Sequence, residues 1–382
     1  MAHKEMVSKE KLPYALIGCG RVSVKHIKAY CKNSDDLYLA AIVDSNPEAP
    51  KKLLKEVGFS DKKMDIFLKD VKLYSDYTEM LREIRPKITA VTTPSGLHYR
   101  MGVDVMQSGS HLILEKPMTM SSSQAKDLCR ISHETGCKIA MGHIYRYFPV
   151  VGLIREDIRK GIFGKISHGS VVVRWGHDQK YYDSAPWRGT WKSDGGVLMN
   201  QSIHALDLMT WLMDSTAIGA DCRIARRFHD MEAEDVGLGI LQLENGTLCQ
   251  IEGTTNTPSS NHEASFHITG SDGTVSLGLR KGKPFFHIRD QKGKSLKWSY
   301  FRRELKQSGF AAIPGFFNPH IGIYQDLIAA IREDRQPIAD AESGYRSVDM
   351  LLGLYQSAKT GHHTNLPLTE NFSAEDMVGT FH

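Results

Sequence analysis

The sequence predicts an α/β protein of two units: a doubly wound parallel sheet, then a second α/β unit on an open, mostly antiparallel sheet. Three observations carry this expectation. Between residues 14 and 141 short apolar segments alternate with amphipathic stretches, the pattern of parallel strands joined by right-handed helical crossovers. After Pro149 the texture changes to alternating segments punctuated by glycine turns, which suits antiparallel pairing. The length, 382 residues, exceeds what one ordinary core organises, so two domains are the default.

In the first unit, residues 14–17, 39–43, 88–91, 111–114 and 138–141 read as buried strands, and 24–32, 51–57, 77–84, 99–108 and 123–135 as helices. Gly109 and Gly136 stop two of these helices, and Pro86 and Pro94 punctuate around the fourth strand. Residues 61–71 read as a surface insertion. In the second unit a short helix at 151–160 precedes a long strand at 166–175, a Trp-rich loop and a helix at 201–213. Strands are then expected at 222–228, 237–243, 246–253, 264–269, 273–277, 285–289 and 297–301, and closing helices at 321–333 and 343–360. The division is 1–12 as a tail, 13–148 and 149–368 as domains, and 369–382 as a second tail.

A composition of 41% hydrophobic and 24% charged residues is that of a soluble globular chain. No apolar run reaches the ~18–20 residues that span a bilayer, and residues 1–11 carry no signal-peptide core. The six cysteines form no Cys-x-x-Cys pair, which points to reduced thiols and a cytoplasmic setting. The net charge of +4 is dispersed. Arg280, Lys281, Lys283, Lys292, Lys294 and Lys297 flank glycines as charged hairpin turns do, so no nucleic-acid partner is expected. No metal is expected either: His133-Glu134 begins like a zinc-binding helix, but Cys137 stands where the second His belongs.

Gly18-Cys19-Gly20 follows the first strand and opens a helix, the context in which such glycines cradle a pyrophosphate at a helix N-terminus. Arg21 and Val22 belong to the same turn, and Ser23 takes the third motif position as a small residue. Asp44 ends the second strand about twenty residues on, where a carboxylate accepts from a ribose 2′-hydroxyl and repels a 2′-phosphate. The cofactor is therefore NAD rather than NADP. Thr93-Pro94-Ser95 ends the fourth strand on the same edge, with Pro94 set to line the slot. His98 is either a cofactor contact or a polar residue opening the next helix.

Glu115-Lys116-Pro117 ends the fifth strand, again where ligands bind such sheets. A cis bond at Pro117 would aim Lys116 inward, and Glu115 would orient that backbone or the lysine. Asn200 and His204 are four apart on a helix and share a face, downstream of Gly195-Gly196. Asp207 either holds the His204 ring or serves as a helix or surface charge. Oxidising a carbinol requires its proton to leave together with hydride, so a near-neutral base and a donor to the oxyanion are needed. His204 as base and Lys116 as donor meet that need, with exchangeable roles.

These motifs in this order resemble the Gfo/Idh/MocA oxidoreductases across nearly the whole chain. The resemblance extends to Asp235-Val236-Gly237, Glu244-Asn245-Gly246-Thr247 and the segment from Tyr355 to Gly361. It implies a Rossmann domain, then an α/β domain whose open sheet often forms a homodimer or homotetramer interface. It also implies sugar or cyclitol substrates, Lys116 and His204 as catalytic residues and Asn200 as a substrate ligand. Tyr181-Tyr182-Asp183, the run from Ala185 to Trp191, and Met199-Asn200-Gln201 look like the UDP-N-acetylglucosaminuronic acid 3-dehydrogenases of surface-polysaccharide biosynthesis. That likeness implies substrate contacts from Arg146, Tyr147, Trp187, Arg188, Asn200 and Gln201. Arg188 suits a carboxylate; the tryptophans are either sugar platforms or core. Tyr145 and Ser202 depart from the usual Asn and Gly, and both adjoin the expected sugar pocket. The alternatives are a dehydrogenase or ketoreductase of a free sugar, glycoside or inositol, and a cofactor-binding regulator without turnover.

Overall fold

The computed structural model describes residues 10–309 and 313–381; residues 1–9 of the expected N-terminal tail lie outside them. Six strands, β1 (Leu12–Ile17), β2 (Leu37–Val43), β3 (Lys72–Tyr74), β4 (Ile88–Val91), β5 (His111–Leu114) and β6 (Ile139–Met141), form a sheet of order β3-β2-β1-β4-β5-β6. Every neighbouring pair is parallel. The strands are short and nearly all-apolar because both faces are covered, and the order reverses between β1 and β4, where a crevice opens at their carboxyl ends. Helices α1 (Ser23–Lys32), α2 (Ala49–Val57), α3 (Asp61–Leu68), α4 (Tyr77–Ile84), α5 (His98–Gln107) and α6 (Ser122–Thr135) make the crossovers.

The second unit opens with α7 (Val151–Arg159), β7 (Ile166–Arg174), α8 (Gln179–Asp183) and α9 (Ile203–Leu212). It continues with β8 (Ala217–Ala225), β9 (Val236–Leu243), β10 (Leu248–Thr254), β11 (Glu263–Gly270), β12 (Gly273–Arg280) and β13 (Lys283–Asp290). Helices α10 (Lys297–Ser308), α11 (Ile313–Phe317), α12 (His320–Glu333) and α13 (Ala341–Thr360) follow, then β14 (Thr364–Asn365). The sheet runs β13-β12-β11-β7-β10-β9-β8-β14. Only the β10–β7 pair is parallel, so the mostly antiparallel expectation holds.

Two local expectations are corrected and two are refined. The surface insertion expected at residues 61–71 is largely helical: α3 is capped by the Ser60 hydroxyl, buries Met64 and sets Phe67 edge-on against Phe59. Residues 297–301 begin a helix rather than a strand. Its aromatics suggested β structure, but only Tyr300 is buried, where its hydroxyl donates to Asp157 at 2.5 Å. Residues 369–381 are not a loose tail, and His382 lies outside the described residues. Ser373 bridges to Ser121, Phe372, Ala374 and Met377 are buried, and Phe381 stacks near Trp191.

The linear division at residue 149 is bridged by packing on both faces of the first sheet. Helix α12 returns to the first unit, burying Ile321, Ile323, Tyr324, Leu327 and Ile328 against Tyr14, Leu16 and Ile27. Its period places these residues on one stripe, which covers a sheet face that would otherwise be bare. On the opposite face the core runs without a break from the first sheet into α9 and α13. The two units are therefore joined by packed apolar surface.

Candidate active site

The turn after β1 is shaped by a glycine that nothing else can replace. Gly18 has φ +93°, and a Cβ there would sit 3.1 Å from the Thr92 carbonyl. The Thr92 hydroxyl donates to the carbonyls of Ile17 and Gly18, which holds β4 and the turn together. No side chain caps the N-terminus of α1; Ser23 N and Lys25 N donate to the Gly20 and Val22 carbonyls, and the end of the helix dipole faces the turn, favourable to an anion. Asp44 stands beside this turn: Oδ2 accepts from Cys19 N at 2.8 Å and Oδ1 from Asn46 N at 2.9 Å. A tight backbone cradle with a carboxylate at the end of β2 fits the pyrophosphate and ribose of NAD. Arg21 is exposed and Val22 half-buried at the same turn, and Thr93, Pro94 and Ser95 are half-buried along the same edge.

Two of the expected cofactor residues are braces. His98 is buried, with Nδ1 2.7 Å from the Pro117 carbonyl and Nε2 3.0 Å from the Thr93 carbonyl. It ties the two ligand-facing loops together instead of pointing outward. Glu115 is also buried. Its Oε1 lies 3.0 Å from His26 Nε2 and 3.3 Å from His320 Nε2, while Oε2 accepts from Lys116 N at 3.3 Å. The two imidazoles hold this carboxyl well below the usual carboxylate range against the opposing effect of burial. Glu115 thus connects α1, the lysine loop and α12.

Lys116 lies two residues beyond the end of β5 and precedes a cis Pro117. Its Nζ donates to the Asn200 carbonyl at 2.7 Å and to Asn200 Oδ1 at 3.0 Å, across 84 positions of chain. Asn200 lies in a π-turn, Leu198–Ser202, that leads directly into α9, so His204 stands one turn beyond it. The His204 ring packs near Tyr145, centroids 5.2 Å apart, and its Nδ1 is buried without a hydrogen-bond partner. Burial, then the Lys116 charge, hold the imidazole well below its ordinary pKa. His204 is therefore neutral near pH 7, as a proton acceptor must be. Burial also lowers Lys116, opposed by the charges of Glu115 and Asp194.

Asp207 does not hold His204. Its carboxylate takes Arg146 in a two-pronged pair, Nε to Oδ2 at 2.9 Å and Nη2 to Oδ1 at 2.6 Å. Arg146 Nη1 donates to the Ile338 carbonyl and to Ser343 Oγ. The guanidinium expected to meet substrate is thereby spent inside the protein, locking α9 to α13. Tyr147 is likewise committed, its hydroxyl donating to Asp326 at 2.9 Å. Trp187 and Arg188 remain half-exposed. The Arg188 guanidinium lies 4.3 Å from the Tyr181 ring and 4.6 Å from the Trp187 ring, and its Nε is buried without a partner. Trp191 is core, fully buried. Gln201 is half-exposed beside Asn200.

Three residues with no site role expected from the sequence support the π-turn. Glu234, fully buried, accepts at Oε1 from Leu198 N at 2.9 Å and from the Tyr355 hydroxyl at 2.8 Å. Tyr355 in turn accepts from Met199 N at 3.2 Å. Together they satisfy the N–H groups that open the π-turn. Burial pushes the Glu234 carboxyl up to about 8. Asp194 accepts from Asn200 Nδ2 and, at 2.9 Å, from Gly189 N. The Gly195-Gly196 pair next to it was a legible signal: a Cβ on Gly196 would strike the Glu234 carboxylate.

Residues 12–143 match the oxidoreductase family's NAD-binding Rossmann fold, and residues 155–367 match its C-terminal alpha/beta domain. The chain belongs to the Gfo/Idh/MocA oxidoreductases. It is an NAD-dependent enzyme of the sugar-dehydrogenase type. The WlbA dehydrogenase of Bordetella pertussis, solved with NADH and UDP-GlcNAcA, is 29% identical with a TM-score of 0.81, covering 95% of this chain and 99% of that one. The D-glucoside 3-dehydrogenase of Escherichia coli (strain K12) is 23% identical, covering 95% of this chain and 100% of its own length. The scyllo-inositol 2-dehydrogenase (NAD(+)) of Bacillus subtilis (strain 168) is 23% identical over 69% of this chain and 73% of its own. Among the described residues no helix is long and apolar enough to cross a membrane.

Proposed function

We propose that the protein oxidises the 3-hydroxyl of a UDP-sugar acid, of the UDP-N-acetylglucosaminuronic acid type, with NAD. The observation that carries this reading is the join between Lys116 Nζ and Asn200 one helical turn before a neutral His204 whose Nδ1 has no hydrogen-bond partner. NAD, when bound, supplies the hydride acceptor. His204 takes the hydroxyl proton as the carbon–hydrogen bond gives up its electron pair. Lys116, two of whose protons go to Asn200, directs the third at the oxygen as its carbonyl double bond forms. Arg188, braced between two rings with a bare buried Nε, supports a carboxylate-bearing substrate. The likeness to the Bordetella pertussis dehydrogenase over almost both full chains agrees with this class.

A second reading, oxidation of a free sugar or glycoside, is favoured by the full-length match to the Escherichia coli D-glucoside 3-dehydrogenase. The test is NAD reduction with UDP-sugar acids, free hexoses, glycosides and inositols compared at equal concentration. The UDP-sugar acid is expected to give a kcat/KM at least about a hundredfold above the rest, the scale of one bidentate carboxylate contact. Turnover confined to unphosphorylated sugars overturns the first reading. Association through the second sheet accompanies the proposal, supported by exposed Leu238, Ile240 and Leu248 on β9 and β10. Light scattering should give a dimer or tetramer.

A further inference from the structure

The Lys116 ammonium owes its direction to a residue it does not touch. Asn200 presents Oδ1 to Lys116 Nζ, yet an amide rotated by half a turn fills the same space with its NH2 group there, donor against donor. What decides the rotation is on the amide's other side. Asp194 is buried at 5% exposure; a carboxylate only accepts, so Asn200 Nδ2 has to face it.

We propose that Asp194 is a positioning residue for Lys116, acting through the Asn200 amide, and that it couples the lysine to the Arg188 loop. This rests on the reading of Lys116 above. With the amide so oriented, two ammonium protons are engaged by Asn200 and one is left for the reacting oxygen. The second carboxylate oxygen of Asp194 accepts from Gly189 N at 2.9 Å, next to Arg188. One carboxylate therefore holds both the lysine's partner and the loop that carries the Arg188 guanidinium. The negative charge also neutralises the buried ammonium one amide away.

The test exchanges the two side chains. In Asp194→Asn the new amide donates toward Asn200, whose own amide turns its NH2 group onto Lys116. In Asp194→Asn/Asn200→Asp the pattern is restored: position 194 donates to 200, position 200 accepts from Lys116, and Gly189 N still has an acceptor. Lys116 is followed by NMR titration of lysines labelled at Cε, its signal identified by loss in Lys116→Arg. Its midpoint should fall in the single variant and rise above wild type in the exchange. With UDP-GlcNAcA and NAD, kcat should drop about 10- to 100-fold in the single variant while KM changes less than about threefold. The exchange should recover about tenfold or more.

An unmoved Lys116 midpoint in Asp194→Asn, or no recovery in the exchange, overturns the proposal. If the single variant does not fold, a folded exchange variant with a raised midpoint supports the pairing, and failure of both overturns it. Retained turnover in Lys116→Ala would instead refute the catalytic reading, leaving the titration to judge the amide alone.

Discussion

At the Gly18 turn the groups on offer belong to the backbone, and their geometry comes from one glycine at φ +93° packed on the Thr92 carbonyl. Around Lys116 the arrangement is different in kind. Each partner is a side chain or carbonyl delivered from far along the chain: Asn200 from a π-turn, Asp194 from the loop before it, and Glu234 with Tyr355 beneath. The cofactor half is thus specified within a strand, a turn and a helix. The substrate half is a network in which each member has its orientation set by the next. A cradle of the first kind tolerates changed side chains and fails when its glycine changes; a network of the second kind fails when any donor or acceptor is exchanged.

The largest break should come at the centre of the network. Lys116→Ala and His204→Ala are each expected to lower kcat by about 10²–10⁴-fold, with NAD affinity by fluorescence titration near wild type, because neither residue shapes the glycine turn. Loss of NAD binding in either variant would erase the contrast between the halves.

A smaller effect, on stability, lies beneath the π-turn. Glu234 is raised to about 8 in the folded protein from 4.5, so between these values the folded state holds a proton that the unfolded state has released. The sign follows: the contribution is fully present below 4.5 and is lost as pH rises through 8. By pH 8 the loss is on the order of 4 kcal/mol. Glu234→Gln keeps an acceptor for Leu198 N and cannot ionise, so urea midpoints at pH 5 and pH 8 should differ less in the variant than in wild type. An equal slope in both would show that the carboxyl is not the titrating group.

The smallest effect sharpens the comparison from the other side. Asp44→Ala should raise the NADP-to-NAD ratio of kcat/KM by about tenfold, the value of one charge-assisted hydrogen bond, and leave the Lys116 titration unmoved. A shift in that titration would mean that the two halves are coupled.

How far each half could be read follows from the same distinction. The glycines, Asp44 and the Glu-Lys-Pro turn announce themselves because strand ends and helix starts are local, and local backbone rules are written in consecutive residues. Arg146 was expected at the substrate from the resemblance alone, and a resemblance does not say which carboxylate a guanidinium meets; here it is Asp207, 61 residues away. His98, open between a contact and a helix-opening polar residue, sets its ring nitrogens against Thr93 and Pro117, and Tyr147 gives its hydroxyl to Asp326. The 297–301 segment carried aromatics that suit a strand, but without a partner strand helical hydrogen bonds within the chain won.

The amino-acid order by itself determined the parallel sheet, the glycine turn and the family, and it singled out Lys116, Asn200 and His204 as site candidates. Apolar period, glycine and proline placement act over a few residues and survive without knowledge of the rest. The return of α12 to the first unit, the docking of residues 372–377, the braces at Glu115 and Glu234 and the rotation of the Asn200 amide were decided only in three dimensions. Each depends on which buried polar atom lacks a partner, and that is settled when distant segments exclude water together.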